Sequence, residues 1–183
     1  MKNLYLIGGP MGVGKTSAGQ CLKKVLPNSV LLDGDWCWDA DPFYVTDETK
    51  LMVLDNICHL LNNFLRCSVY ENVIFCWVMH EQAVIDAILG ALDLSRCRLR
   101  CVSLTAEPCA LRERLSRDIE SGLRDAGVIG RSLERLPLYA GLDTVKIDTT
   151  GKSAAETAAE IAALPPGGCM ASEKRSRAPQ LRV

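Results

Sequence analysis

Eight consecutive residues restrict this chain more than any other part of it. Gly9-Pro10-Met11-Gly12-Val13-Gly14-Lys15-Thr16 fits the pattern G-x-x-x-x-G-K-[ST]. The pattern has physical meaning only where an apolar strand leads into it and a helix leaves it. Both neighbours are present: Leu4-Tyr5-Leu6-Ile7 reads as a strand, and residues 15–26 read as a helix. Glycines let successive backbone N–H groups turn inward around phosphate oxygens, and the helix N-terminus adds its positive end. Lys15 is placed to reach the β- and γ-phosphates, and the Thr16 hydroxyl to hold magnesium. The nucleotide contacts expected on the loop are Gly9, Met11, Gly12, Val13, Gly14, Lys15, Thr16 and Ser17. The bland reading, a chance glycine-rich turn carrying a surface lysine, does not explain why strand, loop and helix fall in register.

The rest of the chain repeats the same alternation. Apolar runs at 3–7, 29–32, 72–78, 99–104 and 144–147 alternate with helical patterns at 15–26, 48–65, 81–92, 109–122 and 154–164. Strand and helix in this rhythm imply βαβ units and a parallel sheet. Val73-Ile74-Phe75-Cys76-Trp77-Val78 shows no polar alternation, as expected of a strand covered on both faces. The expected fold is a three-layer α/β P-loop fold with a five-stranded parallel sheet over residues 1–164. Arg112, Arg114, Arg117 and Arg124, with Arg131 beyond, lie in a stretch broken by Gly122 and Gly127. It reads as a helix passing into a mobile piece. After Leu164 the chain continues as Pro165-Pro166-Gly167-Gly168 and then Ser, Lys and Arg without apolar periodicity, so 165–183 is expected to be a disordered tail.

Composition removes several classes of function. Lys plus Arg is 21 against 22 for Asp plus Glu, so no chain-wide basic field awaits a nucleic acid. Mean hydropathy is +0.09 and no apolar run is long enough to span a bilayer, so no membrane partner is expected. The N-terminal run breaks at once into Gly8-Gly9-Pro10 and Lys15, unlike a signal peptide, which points to a cytoplasmic protein. None of the nine cysteines has C-x-x-C spacing, so they read mostly as small buried hydrophobes rather than zinc ligands.

What happens to the γ-phosphate depends on other residues. A GTPase needs D-x-x-G after an early strand and N-K-x-D later. Asp148-Thr149-Thr150-Gly151 fits the first by letter but lies at the last strand, and the second is absent. A motor or transporter ATPase needs an acid ending an apolar strand, and the third run leads instead into Met79-His80-Glu81. The second run ends Asp33-Gly34-Asp35, two carboxylates at the carboxyl edge of a parallel strand, where open α/β sheets bind ligands. Asp35 is suited to accept a hydrogen bond from a substrate hydroxyl, and Asp33 to bind magnesium through water. The competing reading is a polar turn with Gly34 supplying its conformation. Trp36, Trp38, Phe43 and Tyr44 follow directly; they wall an acceptor pocket or pack a subdomain on the sheet. His80 is either a lining residue of the same cleft or the start of a helix.

These residues resemble the small P-loop kinases of the nucleoside-monophosphate-kinase-like type. Shikimate kinase, gluconate kinase, adenylyl-sulfate kinase, chloramphenicol phosphotransferase and the tunicamycin-resistance proteins are the neighbours in view. The resemblance runs from Leu4 to about Leu164 and implies an acceptor-binding region and an arginine-bearing lid, here at about 117–136. Asp33-Gly34-Asp35 looks like the D-G-D of adenylyl-sulfate and gluconate kinases, whose second Asp faces the acceptor. Leu111-Arg112-Glu113-Arg114-Leu115-Ser116-Arg117 resembles the helix leading into the lid. By that match Arg117 touches the nucleotide or its phosphates, Arg114 stacks on the ring or holds structure, and Arg124 and Arg131 are looser candidates. Thr149 lies in what resembles the adenine-side loop. The chain departs from the group in three places. It lacks the His that gluconate kinases carry after D-G-D, the glycine-rich turn of shikimate kinases after the third strand, and the early acceptor-side arginine of nucleoside monophosphate kinases. Between Asp33 and Leu65 the only cations are Lys50 and His59, which favours a neutral, hydroxyl-bearing or aromatic acceptor.

The expected activity is ATP- and magnesium-dependent transfer of a phosphoryl group to a small-molecule hydroxyl, by a monomer or homodimer. Lys15, Asp35, Arg117 and Arg131 are the expected catalytic residues; Arg114, Arg117 and Thr149 join the loop at the nucleotide; Thr16 and Asp33 hold the metal. The alternative is a nucleotide-binding switch or sequestering protein that phosphorylates nothing. A nucleic-acid 5′-hydroxyl kinase is disfavoured, because Trp36 to Asp47 carries Asp39, Asp41 and Asp47 and no Lys or Arg.

Overall fold

The computed structural model describes residues 1–167. Five strands form one all-parallel sheet in the order β2-β3-β1-β4-β5: β1 Lys2–Gly8, β2 Ser29–Asp33, β3 Asn72–Cys76, β4 Cys97–Thr105 and β5 Val145–Asp148. The helices are α1 Lys15–Val25, α2 Asp47–Arg66, α3 Gln82–Gly90, α4 Pro108–Glu120, α5 Val128–Arg135 and α6 Ala154–Ala163, with 3-10 turns at Gly34–Cys37 and Leu136–Gly141.

The period-two alternation of a strand sorts the core into two layers. Leu4, Leu6, Val73 and Phe75 point to the face covered by α2 and α3, where they meet Val53, Ile57, Leu61, Ile85 and Ile88. Tyr5, Ile7, Ile74 and Cys76 point to the other face, against Ala18 and Leu22 of α1, Leu111 and Leu115 of α4 and Ala158 and Ile161 of α6. Every residue of β3 is buried, as its unbroken apolar run requires. Local chemistry sets the helix ends. Thr46 and Thr49 close a capping box at α2, Ser153 and Glu156 close one at α6, and Pro108 opens α4.

Several boundaries differ from the sequence expectation. β3 stops at Cys76 rather than 78, because β2 ends opposite it at Asp33 and β1 turns into the loop after Gly8; Trp77 N makes the last bond, to Ile7 O at 3.1 Å. β4 starts two residues early, at Cys97, since Arg98 and Arg100 break the apolar run but still pair with Asn3 and Tyr5. Arg100 is buried over the Tyr5 ring at 4.9 Å and donates to Asn3 Oδ1 and Leu164 O. The stretch read as mobile contains α5, whose Val128 and Ser132 are buried. Gly167 donates to Leu99 O at 2.9 Å, so ordered pairing runs past 164, while the tail expected to be disordered lies, from 168 on, outside the described residues. The cysteines are less buried than expected: Cys76 and Cys101 are buried, Cys109 is exposed, and Cys21, Cys37, Cys58, Cys67 and Cys97 are half-buried. Among the described residues no helix is long and apolar enough to cross a membrane.

Phe75 sits in a fully buried strand with another strand on each side. Truncating it removes a large ring from a packed layer. Phe75→Ala is expected to lower the unfolding free energy by about 3–5 kcal/mol, read as a fall in the urea midpoint.

Candidate functional site

The glycine loop leaves β1 at the middle of the sheet's carboxyl edge and enters α1. Gly12 (φ +78°) and Gly14 (φ +98°) take left-handed angles that other residues adopt only with strain, and Gly14 is the N-cap of α1. No heavy atom lies within 4 Å of a Cβ built on Gly14, so that side of the loop opens into the cleft. On Gly12 the same atom would meet Leu115 of α4 at 2.5 Å, so the base of α4 packs directly against the loop.

Turning N–H groups inward sends carbonyls outward, and three of these find side-chain partners. Met11 O accepts from the buried Ser132 hydroxyl of α5 at 2.7 Å. Val13 O accepts from Arg114 at 3.3 Å, and the Thr149 hydroxyl stands 3.2 Å away. Pro10 O accepts from Lys15 Nζ at 2.9 Å. Arg114 also donates to Thr149 Oγ1 and O. Arg114 and Thr149 therefore brace the loop as well as lining the cleft above it.

That cleft is a cavity of about 420 Å³. Gly12, Val13, Gly14, Lys15, Thr16 and Ser17 form its floor, and Arg114, Arg117, Asp118, Arg124, Thr149, Lys152 and Thr157 its walls. Most of the expected nucleotide contacts thus come together here. Gly9 and Met11 lie behind the loop rather than in the cavity wall. Arg131 is not in the wall either: it is exposed and paired with Asp125 at 2.6 Å. Arg124, held to Asp118 at 3.1 Å, takes that place, because Gly122 (φ +73°) turns the chain back after α4.

The two carboxylates lie beside this cleft. Asp33 is buried and accepts from Thr16 Oγ1 at 2.6 Å and from Asp35 N at 3.1 Å. Asp35 is exposed, and its Oδ1 accepts from the Trp77 indole at 3.1 Å. Desolvation, then the Asp33 charge, push Asp35 above the usual carboxylate range, against Lys15, Trp77 and Arg124. Desolvation lowers Lys15 to about 8, and among the charges that oppose it Asp35 is the largest. Thr16 and Asp33 fit a magnesium ion. No group of three or more His, Cys, Asp or Glu residues among the described ones could hold a metal, yet magnesium needs only one or two protein oxygens when phosphates and water complete its shell.

A further cation lies near the exit of β3. Arg135, at the end of α5, brings its guanidinium to 3.4 Å from Met11 Sδ, and its charge acts on His80. His80, at the exit of β3, is half-buried with Nδ1 unpartnered among the described residues; desolvation, then Arg135, hold its pKa below the ordinary value. Trp38 and Phe43 meet edge to face at 4.8 Å, while Trp36 and Tyr44 are exposed. Ser132, Arg135 and Trp77 are the site residues that sequence reasoning missed. None stands in a local motif, and each reaches the site from a distant element.

A family model described as an AAA domain matches residues 6–129, and the chain belongs to that family. None of the curated proteins matches it. The chain is similar in fold to a tunicamycin resistance protein of Deinococcus radiodurans (24% identity, TM-score 0.67, covering 89% of this chain and 95% of that one). It is also similar to a gluconokinase of Sinorhizobium meliloti (20%, 0.61, 87% and 89%). A shikimate kinase of Acinetobacter baumannii solved with shikimate has the same fold (23%, 0.57, 88% and 91%).

Two expectations follow from this geometry. Ser132→Ala leaves Met11 O without its partner; it is expected to cost about 1–3 kcal/mol of stability and to weaken binding of a non-hydrolysable ATP analogue, read by thermal melts with and without the analogue. The second concerns pH. Lys15 titrates at about 8 when folded against 10.5 as a free side chain, so across that window the unfolded chain binds more protons and stability rises with pH. Burial raises the thiols of Cys37, Cys58, Cys76 and Cys97, which acts in the opposite sense over the same range, so the Lys15 contribution is read as a difference: the stability of the nucleotide-free wild type relative to Lys15→Met is expected to rise from about pH 8 to 10.5.

Proposed function

We propose that this AAA-domain protein transfers the γ-phosphoryl group of ATP to a hydroxyl of a small molecule. The observation that carries the reading is the chain from the loop of Lys15 to Asp35: Thr16, next to Lys15, donates to Asp33 at 2.6 Å, and Asp33 accepts from the Asp35 amide at 3.1 Å. Lys15 suits the phosphate being transferred and Asp35 the hydroxyl that receives it. The likeness in fold to small-molecule kinases supports the same reading.

The residues divide the work as follows. The loop amides and the N-terminus of α1 hold the β- and γ-phosphates, and Lys15 leaves Pro10 O to reach them. Thr16 and Asp33 hold magnesium, which neutralises charge on the phosphate oxygens when bound. Asp35 accepts the hydrogen bond of the acceptor hydroxyl and aims its oxygen at the γ-phosphorus. The bond from that phosphorus to the β–γ bridging oxygen breaks, the new O–P bond forms, and the acceptor proton passes late to Asp35 and then to water; ADP and the phosphorylated acceptor leave. Arg117 and Arg124 stand where charge develops on the transferred group, and guanidinium groups meet phosphate in rigid two-pronged contacts. Arg131 belongs to this set only if lid closure breaks its pair with Asp125.

The test is ATP consumption by the magnesium-loaded protein against a panel of nucleosides, sugar acids, shikimate-like acids, aminoglycosides and chloramphenicol-like alcohols. Mass spectrometry reads an added phosphoryl group. Lys15→Ala is expected to lower transfer by about 100-fold or more, and Asp35→Asn by about 100-fold to 10,000-fold with nucleotide binding intact. Full transfer by Asp35→Asn would remove the acceptor assignment. ATP bound with no acceptor modified would favour a switch or sequestering role.

A further inference from the structure

Trp77 follows β3 at the same edge as Asp35, and its contacts are those of a clamp. Among the described residues its indole N–H is the one hydrogen-bond donor that reaches Asp35 Oδ1, at 3.1 Å, and no hydrogen bond reaches Oδ2. The ring lies against Gly34: a Cβ built there would come within 2.4 Å of the indole Cγ and 2.5 Å of Cδ1. Gly34 does not have a left-handed φ, so this position needs glycine for the ring's space and not for its own backbone angle. Trp38 meets Trp77 edge to face at 6.3 Å, and Phe43 meets Trp38 at 4.8 Å. Gly34 and Trp38 thus both fix the indole.

The carboxylate it touches is otherwise poorly held. The terminal torsion of an Asp side chain is broad, and Asp35 is exposed. An indole N–H is a donor only, so it takes one oxygen of the carboxylate without competing for the acceptor's proton. Transfer rates depend steeply on the orientation of the reacting hydroxyl.

We propose that Trp77 is a positioning residue that holds Asp35 Oδ1, so that Oδ2 meets the incoming hydroxyl in one orientation. The proposal rests on the reading of Asp35 given above. Its test uses magnesium-ATP turnover with water as the acceptor. Trp77→Phe keeps a ring against Gly34 and removes the donor. It is expected to lower kcat about tenfold, with KM for ATP unchanged within about twofold. In an Asp35→Asn background the same change is expected to cost less than about twofold, the non-additivity of two groups acting as one. Equal losses in both backgrounds, or no loss from Trp77→Phe in the wild type, would overturn the proposal. Turnover unchanged by Asp35→Asn alone would instead remove the reading on which it rests.

Gly34→Ala gives a second route, since the methyl displaces the ring without touching the donor. It is expected to move the Trp77 indole N–H signal in a ¹⁵N-correlated spectrum, as Asp35→Asn does, and to lower turnover about as much as Trp77→Phe, the two changes together costing no more than either. A displaced indole signal with full turnover, or an indole signal that Asp35→Asn leaves in place, would also overturn the clamp.

Discussion

A phosphate-binding loop can turn its N–H groups inward only if its carbonyls are satisfied from outside, and most of this structure is arranged around that requirement. A buried carbonyl left alone costs about 1–3 kcal/mol. Here Ser132 of α5 serves Met11, Arg114 of α4 and Thr149 after β5 serve Val13, and Lys15 serves Pro10. Three elements far apart in sequence must therefore dock before the loop has its shape. Leu115 against Gly12 adds an apolar contact in the same direction. The bases of α4 and α5 and the glycine loop are thus one packed unit, and damage to α5 reaches the loop through Met11.

The same unit explains the charge pattern of the site. The chain is nearly neutral overall, yet Lys15, Arg117, Arg124 and Lys152 collect around one cavity. A buried ammonium beside neighbouring guanidinium groups is costly without an anion, which is why Lys15 holds its proton less tightly than usual and donates to a backbone oxygen. Asp33 and Asp35 offset part of this from the acceptor side. Asp33 is tied to Thr16 and is buried, whereas Asp35 is exposed and, among the described residues, hydrogen-bonded through the Trp77 ring and its own amide. One carboxylate is fixed against the loop and the other is open to solvent.

The parts of this arrangement that were legible in the sequence are those written in local pattern. The glycine loop, the five apolar runs and the Asp33-Gly34-Asp35 turn each carry their chemistry within a few residues, and the sheet and its two carboxylates follow from them. What escaped was carried by contacts across the chain. Ser132 is a serine in a short helix until α5 folds back on Met11. Arg135 reaches Met11 and acts on His80 only because α5 folds back on the loop. Gly34 looks like a turn glycine, while its space is taken by a ring forty-three residues later. Arg98 and Arg100 hid the start of β4 because charge in an apolar run reads as its end, yet Arg100 is buried on Tyr5.

Lid arginines are a special case of this limit. Arg124 and Arg131 are equally plausible by spacing, since both follow the α4 helix at short distance. The backbone separates them. Gly122 returns the chain toward Asp118, leaving Arg124 over the cavity, while Arg131 lies on α5 and faces Asp125. α4 is anchored through Leu115 and α5 through Ser132, and all residues from 121 to 127 are exposed. The seven residues between the two anchors are therefore the least packed part of this region. Arg124 lies within it, whereas Arg131 sits on the anchored helix and gains freedom only by breaking its ion pair with Asp125, which is itself inside the stretch. The pair Arg131–Asp125 thus ties the exposed stretch to α5, while Arg124, inside the stretch, lines the cavity.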